Sequence, residues 1–368
     1  MKPQIFFILY VIFLFPVASY ASETNSYDSE TSHCTLAFNN RGDSYYDLGK
    51  YDDAVEEYTS ALTLNDYWIK NNRSLIYTKR GGSYHNLGKY DKAIEDLTAA
   101  LALNDQWIKN NRSLIYNNRG YSYHELGKYN KAIEDFTVAL TLNDQSIKDN
   151  RSLIYNNRGN SYYNLGKYDK AIEGYTAALT TNDKWVKNNC SLIYNNRGNS
   201  YDNLGKYDEA IKDFTSALAI NDQSIKDNRS LIYTRRGNSY HNLEKYEKAI
   251  EEYTAALALN DQWIKNNRSL IYNNRGNSYY NLGKYDEAIE EYTAALALND
   301  QWVEAYRSII HDRRTAATTN KQNLDTWGEI QRQNHTQLNM HVNARSSRKS
   351  ITTITVRSRL NRKKFRSY

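Results

Sequence analysis

From Leu36 to about Asp312 apolar and polar positions recur in a fixed order. The stretch from Ile271 to Leu296, I-Y-N-N-R-G-N-S-Y-Y-N-L-G-K-Y-D-E-A-I-E-E-Y-T-A-A-L, shows it most fully. Tyr272, Gly276 and Tyr279 are spaced four and three apart, which places them on one face of a 3.6-residue helix. Leu282 ends that run, and Gly283 stands where a left-handed residue stops a helix. Ala288, Ile289, Tyr292, Ala295 and Leu296 then form a second apolar stripe. Asp286 and Glu287 put negative charge in its first turn, beside the positive end of the helix dipole. The pattern predicts two helices joined as a hairpin.

The marker glycine recurs at Gly42, Gly81, Gly120, Gly159, Gly198, Gly237 and Gly276, each 39 residues after the last. A fixed period in the range of roughly 20–50 residues signals a stacked repeat architecture. One hairpin cannot bury its apolar face alone, so neighbours must stack. Gly276, Ala288 and Ala295 are small where two helices would meet. Tyr272, Tyr279, Tyr285 and Tyr292 are expected to fill the space between, because a tyrosine ring buries while its hydroxyl finds a partner. On this reading the 34 tyrosines of the chain are core.

With Tyr272, Gly276, Tyr279, Ala288 and Tyr292 at the matching places, the repeat resembles a tetratricopeptide repeat. There are two departures. The late proline is replaced by aspartate, as at Asp300, and the period is 39 residues rather than about 34. The resemblance implies an all-α, right-handed superhelical solenoid of seven such hairpins plus a closing helix. It also implies a protein-binding role, with the first helix of each hairpin lining the concave side.

The remaining segments divide the chain. Residues 1–21 read as a signal peptide: Lys2, an apolar run from Ile5 to Val17, then Ser19-Tyr20-Ala21 as small residues before a cut. The run is short of the ~20 residues that span a bilayer, so no membrane span is expected after cleavage and the chain is expected to be exported, periplasmic or secreted. Residues 22–33 form a loose polar segment, 34–298 the seven repeats and 299–312 a closing helix. Residues 313–368 form a basic tail of charge +11, which leaves −5 for the rest of a chain of net charge +6. That composition predicts disorder, and such a run can make weak contact with a polyanion, nucleic acid or anionic membrane. The inserted segment Asn260 to Asn267 is expected to lengthen the next first helix at its N-terminal end, with Asp261 as N-cap; a separate short helical turn is the alternative. Asn72, Asn111, Asn150, Asn189, Asn228 and Asn267 head Asn-x-Ser sequons, which are glycan acceptors in a eukaryotic secretory route; six-fold duplication of one sequence is the other reading.

No catalytic constellation is visible: the chain has no phosphate-cradling glycine loop and no H-E-x-x-H. The chain is read as non-enzymatic, with no cofactor, no metal and no small-molecule substrate. Cys34 and Cys190 hold the same repeat position four repeats apart, too far for a bridge that needs Cα atoms within ~7 Å. His85, His124 and His241 also share one position, too widely spaced for one metal bound at ~2 Å.

At about 100° per residue, the side of the first helix opposite Tyr272, Gly276 and Tyr279 carries asparagines in rows. Asn40, Asn118, Asn157, Asn196 and Asn274 form one row. Asn160, Asn199, Asn238 and Asn277 form the next, and Asn86, Asn164, Asn203, Asn242 and Asn281 the third. Each amide offers a donor and an acceptor, and a regular stack of them can pair with the backbone of an extended peptide. The candidate peptide-binding residues are Asn118, Asn157, Asn160, Asn196, Asn199, Asn238, Asn274 and Asn277. This is similar to the asparagine ladders of tetratricopeptide superhelices; a carboxylate clamp fits less well, since only Lys79 and Arg235 bring positive charge to that level. If these amides face an open groove, changing four of them to alanine should leave stability intact. The Leu270 series is either covered by the inserted segment or lines an apolar strip. The partner is thus expected to be another protein or peptide. The rival readings are the polyanion binder and a regulatory module of a separately encoded enzyme.

Overall fold

The computed structural model describes residues 29–364 apart from positions 143, 221–222, 260 and 299; side chains are described from residue 34 to residue 337, positions 223 and 301 also excepted. The expected signal peptide lies outside the described residues. Among these residues the chain forms α1 Ser29–Asp47, α2 Tyr51–Thr63, α3 Tyr67–Asn86, α4 Tyr90–Ala102, α5 Arg112–Glu125, α6 Tyr129–Leu142, α7 Arg151–Asn164, α8 Tyr168–Thr180, α9 Lys184–Asn203, α10 Tyr207–Ala219, α11 Arg229–Asn242, α12 Tyr246–Ala258, α13 Gln262–Asn281, α14 Tyr285–Ala297 and α15 Gln301–Lys364, and no strand. Odd and even helices pair as seven hairpins, α15 closes the stack, and the whole is an all-α right-handed superhelical solenoid.

Each hairpin closes on one contact. The large side chain in the middle of the second helix (Tyr58, Leu97, Phe136, Tyr175, Phe214, Tyr253 or Tyr292) is buried and lies on the marker glycine of the first. A Cβ added at Gly159 would stand 2.7 Å from Tyr175 Cε1, and one at Gly198 2.8 Å from Phe214 Cε1. The alanines on either side, such as Ala171 and Ala178, have no exposure. The other tyrosines differ from expectation: Tyr272, Tyr279 and Tyr285 are only partly buried beside the core. Their rings are used differently, as where the Arg275 guanidinium lies 5.7 Å from the Tyr272 ring centre.

The hairpin turn needs a left-handed residue. Gly283 supplies φ 72°, with equivalents at Gly49, Gly88, Gly127, Gly166 and Gly205. The sixth repeat has Glu244 there at φ 58°, held by its N–H donating to the His241 carbonyl at 2.9 Å. A side chain in this region costs roughly 1 kcal/mol, which the packing of α12 back onto α11 outweighs.

The inserted segment makes a turn of helix, as either alternative required, and the Asp caps it: Asp66, Asp105, Asp183, Asp261 and Asp300 accept from the N–H three residues on, at 2.9–3.1 Å. Among the described elements α3 and α15 run unbroken through it. Elsewhere helix geometry breaks at the sequon asparagine: Asn189 and Asn267 have φ near −134° and −132° inside α9 and α13, and Asn111, Asn150 and Asn228 separate a 3-10 turn from the helix proper. The expected lengthened helix is therefore mostly a short turn and a kink. The serine two residues past the sequon asparagine is held from the next repeat. The Ser152 N–H and Oγ both donate to Asp183, at 2.7 and 2.6 Å, and Ser74, Ser230 and Ser269 do the same to Asp105, Asp261 and Asp300. One aspartate thus caps two helix starts, that of the hairpin just finished and that of the turn leading to the next. The neighbouring arginine works in the other direction: Arg73, Arg151, Arg229 and Arg307 donate to carbonyls at the end of the preceding second helix.

At the far end α15 follows the first-helix register. Val303, Ile310 and Ala317 are fully buried, Arg313 Nη1 donates to Asn273 Oδ1 at 2.7 Å, and Asn320 donates to the Tyr280 hydroxyl at 2.7 Å. Its outward positions are polar: His311, Thr315 and Thr318 replace Tyr272, Gly276 and Tyr279. It is therefore a closing helix, but it does not end at Asp312, and the segment expected to be a disordered tail continues it to Lys364. Lys321-Gln322 stand where Leu282-Gly283 make the turn, and no second-helix pattern follows to hold a turn in place. No described helix is long and apolar enough to cross a membrane.

Two outcomes follow from this packing. Glu244→Gly should raise stability by about 1 kcal/mol, read as a higher urea midpoint at unchanged slope. Asp183→Ala removes one N-cap and strands a buried serine, so it should cost about 2–4 kcal/mol in the same assay.

Candidate functional site

The inner face of each first helix is built from residues three and four apart, such as Asn157, Asn160 and Asn164, and the structure places the asparagine rows at different depths. Asn118, Asn157, Asn160, Asn196 and Asn199 are at most 6% exposed, whereas Asn238, Asn274 and Asn277 are half-buried. The buried ones act within the protein. Tyr175, Tyr253 and Tyr292 donate their hydroxyls to Asn160, Asn238 and Asn277 at 2.7–2.9 Å. Asn196 Nδ2 reaches Asn156 Oδ1 and Asn160 Oδ1 of the preceding repeat at 3.3 and 3.4 Å, and Asn274 reaches Asn238 at 3.2 Å. The Nδ2 groups of Asn118 and Asn199 are buried without a partner. Two of the three rows thus form the seam between consecutive first helices, so replacing Asn157, Asn160, Asn196 and Asn199 by alanine should lower stability, contrary to the expectation from an open groove.

The third row is the open one. Asn86, Asn164, Asn203, Asn242 and Asn281 are exposed, and four of them donate their amides to the ring of the preceding repeat: Asn86 and Asn203 to the hydroxyls of Tyr46 and Tyr163 at 2.7 and 2.9 Å, Asn164 and Asn281 to Nε2 of His124 and His241 at 3.3 and 3.5 Å. The sequence reading missed a further row one residue before the first, Asn117, Asn156, Asn195 and Asn273, which is buried and faces the next repeat. The signal was available: each is one helical step from the predicted row, on the side toward its neighbour.

Charge is sparse here and buried where present. Lys79 Nζ donates to Asn39 Oδ1 at 2.8 Å and Asp43 Oδ2 at 2.7 Å; burial lowers its pKa despite Asp43. Arg235 donates to Asn195 Oδ1 at 2.7 Å, and burial pulls its pKa down to about 10 against the pull of Tyr163 and Asp202. Asp202, accepting from Ser239 Oγ at 2.6 Å, is raised by burial. The histidines bridge repeats: Nδ1 of His85, His124 and His241 meets Ser122, Ser161 and Ser278 Oγ at 3.0, 2.8 and 2.8 Å. Because Ser161 Oγ donates to the Asn157 carbonyl, the His124 Nδ1–H is the donor and Nε2 the acceptor. Among the described residues no three His, Cys, Asp or Glu side chains gather as a metal site.

Four of the seven leucines in the Leu270 series are covered, while Leu231 and Leu270 itself are half-buried and Leu36 is exposed. Leu75, Leu114, Leu153 and Leu192 are buried, Leu75 with Trp107 and Ile108 of the inserted segment and Leu153 with Trp185 and Val186. The sequon asparagines are also occupied: Asn72, Asn111, Asn189 and Asn267 donate Nδ2 to the carbonyl four residues back at 2.8–2.9 Å. That is the atom a glycan would take.

Sequence comparison agrees with this geometry repeat by repeat. The tetratricopeptide repeat matches residues 35–66, 72–145, 152–184, 191–224, 230–262 and 269–302. The chain belongs to the tetratricopeptide repeat family. No curated protein matches it. Among solved structures, a tetratricopeptide repeat protein from Parabacteroides merdae ATCC 43184 is 18% identical, covers 78% of this chain and 99% of its own, and superposes with a TM-score of 0.50. The C-terminal part of a TPR repeat-containing protein from Cytophaga hutchinsonii is 20% identical over 71% of this chain and 95% of its own, with a TM-score of 0.52. Both show the shared fold. The repeats mark this tetratricopeptide protein as a protein–protein interaction scaffold.

The buried histidines give a pH dependence with a defined sign. Burial pushes His85 and His124 down to about 4, against about 6.5 unfolded. The unfolded chain therefore takes up protons first, so stability is full above about pH 6.5 and is lost as pH falls toward 4, by up to about 3 kcal/mol per histidine. His124→Tyr, which copies Tyr163, should flatten that decline in urea titrations at pH 7 and pH 4.5.

Proposed function

We propose that the chain is a non-enzymatic scaffold, exported to the periplasm or beyond the cell, that holds an extended peptide or helix of another protein along the inner face of its first helices. The observation that carries this reading is the exposed third row. The Asn203 amide is anchored on Tyr163 and on the Asn199 carbonyl, which fixes the side chain while no partner for its Oδ1 stands among the described residues. Side-chain carbonyls of amides anchored on the preceding repeat, at Asn86, Asn164, Asn203 and Asn281, suit the N–H groups of an extended backbone. The half-buried Asn238, Asn274 and Asn277 extend this face at the C-terminal repeats; the buried candidates contribute by holding the helices in place.

The test is a pull-down with the mature repeats, followed by calorimetry against the captured partner. Replacing Asn203, Asn242 and Asn281 together by alanine should weaken binding by about 2–4 kcal/mol while the melting curve stays close to wild type. Full affinity in the triple variant would remove the asparagine row from the mechanism. Export is tested separately: deleting residues 1–21 should leave the protein in the cytoplasm, and continued export would show another signal.

A second reading, contact with a polyanion, is supported by one feature of α15: residues 332–364 carry nine Lys and Arg and no Asp or Glu. Truncation after residue 320 should abolish any polyanion binding and leave peptide binding unchanged.

A further inference from the structure

The first helix of every repeat carries an arginine immediately before its marker glycine, and six of the seven are ion-paired in one way. Arg80 Nε and Nη2 both bind Asp96, at 2.8 and 2.7 Å, while Nη1 donates to Thr59 of the preceding second helix at 3.0 Å. Arg119 and Arg197 repeat the geometry with Asp135 and Asp213, Arg236 and Arg275 with Glu252 and Glu291, and Arg41 pairs with Glu57. The acid always stands 16 residues after the arginine. In the fourth repeat that position is Gly174.

Arg158 nevertheless keeps the common pose. Its Nη1 reaches Thr137 Oγ1 at 3.3 Å and its guanidinium lies 5.4 Å from the Tyr155 ring centre. Its Nε is buried with no partner, and no carboxylate binds it among the described residues. The Thr137 anchor turns the remaining two-nitrogen edge toward the place where the other repeats supply an acid. The surface beside it is also exceptional. Val138 and Leu142 on α6 are 37% and 43% exposed, and the residue matching Val138 is alanine or serine in every other repeat.

We propose that Arg158 is a docking point for an acidic side chain of a partner protein, an Asp or Glu flanked by apolar residues that meet Val138 and Leu142. A guanidinium edge takes a carboxylate in a bidentate fork, and the six internal pairs show the arrangement this chain builds for it. A carboxylate meeting the Nη2 group, which is not among the sealed atoms, would bring a negative charge to an uncompensated cation. This surface lies where first and second helices meet, apart from the asparagine row, so it stands or falls independently of peptide binding there.

The test follows the Arg Nε–Hε signals of the full chain by NMR during titration with an acetylated, amidated Leu-Leu-Glu-Val-Leu peptide, its Gln counterpart, and sodium acetate. The Arg158 signal is expected to shift saturably with the Glu peptide, at least tenfold more tightly than with the Gln peptide or acetate, while the six paired arginines stay still. Gly174→Asp, which supplies an internal carboxylate, should abolish the response. A Cβ at Gly174 would meet Gly159 Cα at 3.1 Å, so Arg158→Gln serves as the second variant, with peptide binding read by calorimetry and expected to be lost. An unmoved Arg158 signal overturns the proposal. So does an equal response to acetate and both peptides, or Glu-peptide binding that survives Arg158→Gln.

Discussion

The structure depends on one aspartate per repeat. A helical hairpin leaves the first N–H groups of each helix without partners, and in a stack these ends are pressed against neighbours where water is scarce. Asp183 answers two such needs at once, accepting from Val186 N–H at its own turn and from Ser152 N–H and Oγ at the start of the hairpin it has just completed. The family's proline at this place would end a helix; the aspartate ends one and begins two. It also explains the longer period, because the added turn carries the pairs that cover Leu75 and Leu153, Trp107 with Ile108 and Trp185 with Val186.

Once the helix starts are clipped in this way, the first helices lie close enough to share side-chain bonds across 40 residues, from Lys79 to Asn39 and from Arg235 to Asn195. That closeness closes most of the inner face. What remains outside is the last polar row, four of whose five amides are already committed to the repeat behind. A binding face made this way is rigid before a partner arrives, which lowers the ordering cost of association. Variation between repeats then sets local character: histidine, tyrosine or aspartate at one inner position, and a missing acid at Gly174.

Much of this was legible in the order of residues. The marker glycine, the alanines and the large residue of the second helix follow from periodicity, because close approach of two helices permits few residue types. Depth was not legible. Asn157 and Asn164 look alike in sequence, yet one is sealed by the next helix and the other is open, and that difference comes from the spacing between repeats, not from either helix alone. The extent of α15 was hidden for a related reason: its basic composition argues for disorder, while Ala317, Asn320 and the packing on α13 carry the helix past Asp312.

The clip is tested most directly by native-state hydrogen exchange at the first-turn serines. An amide in the first turn of a helix has no intrahelical partner and ordinarily exchanges quickly. If the aspartates hold them, the amides of Ser152, Ser230 and Ser269 should be protected as strongly as those in the middle of the same helices, and Asp183→Ala should release Ser152 alone among the three. Rapid exchange at all three serines in the wild-type protein would contradict the clip as the interaction on which the stack depends.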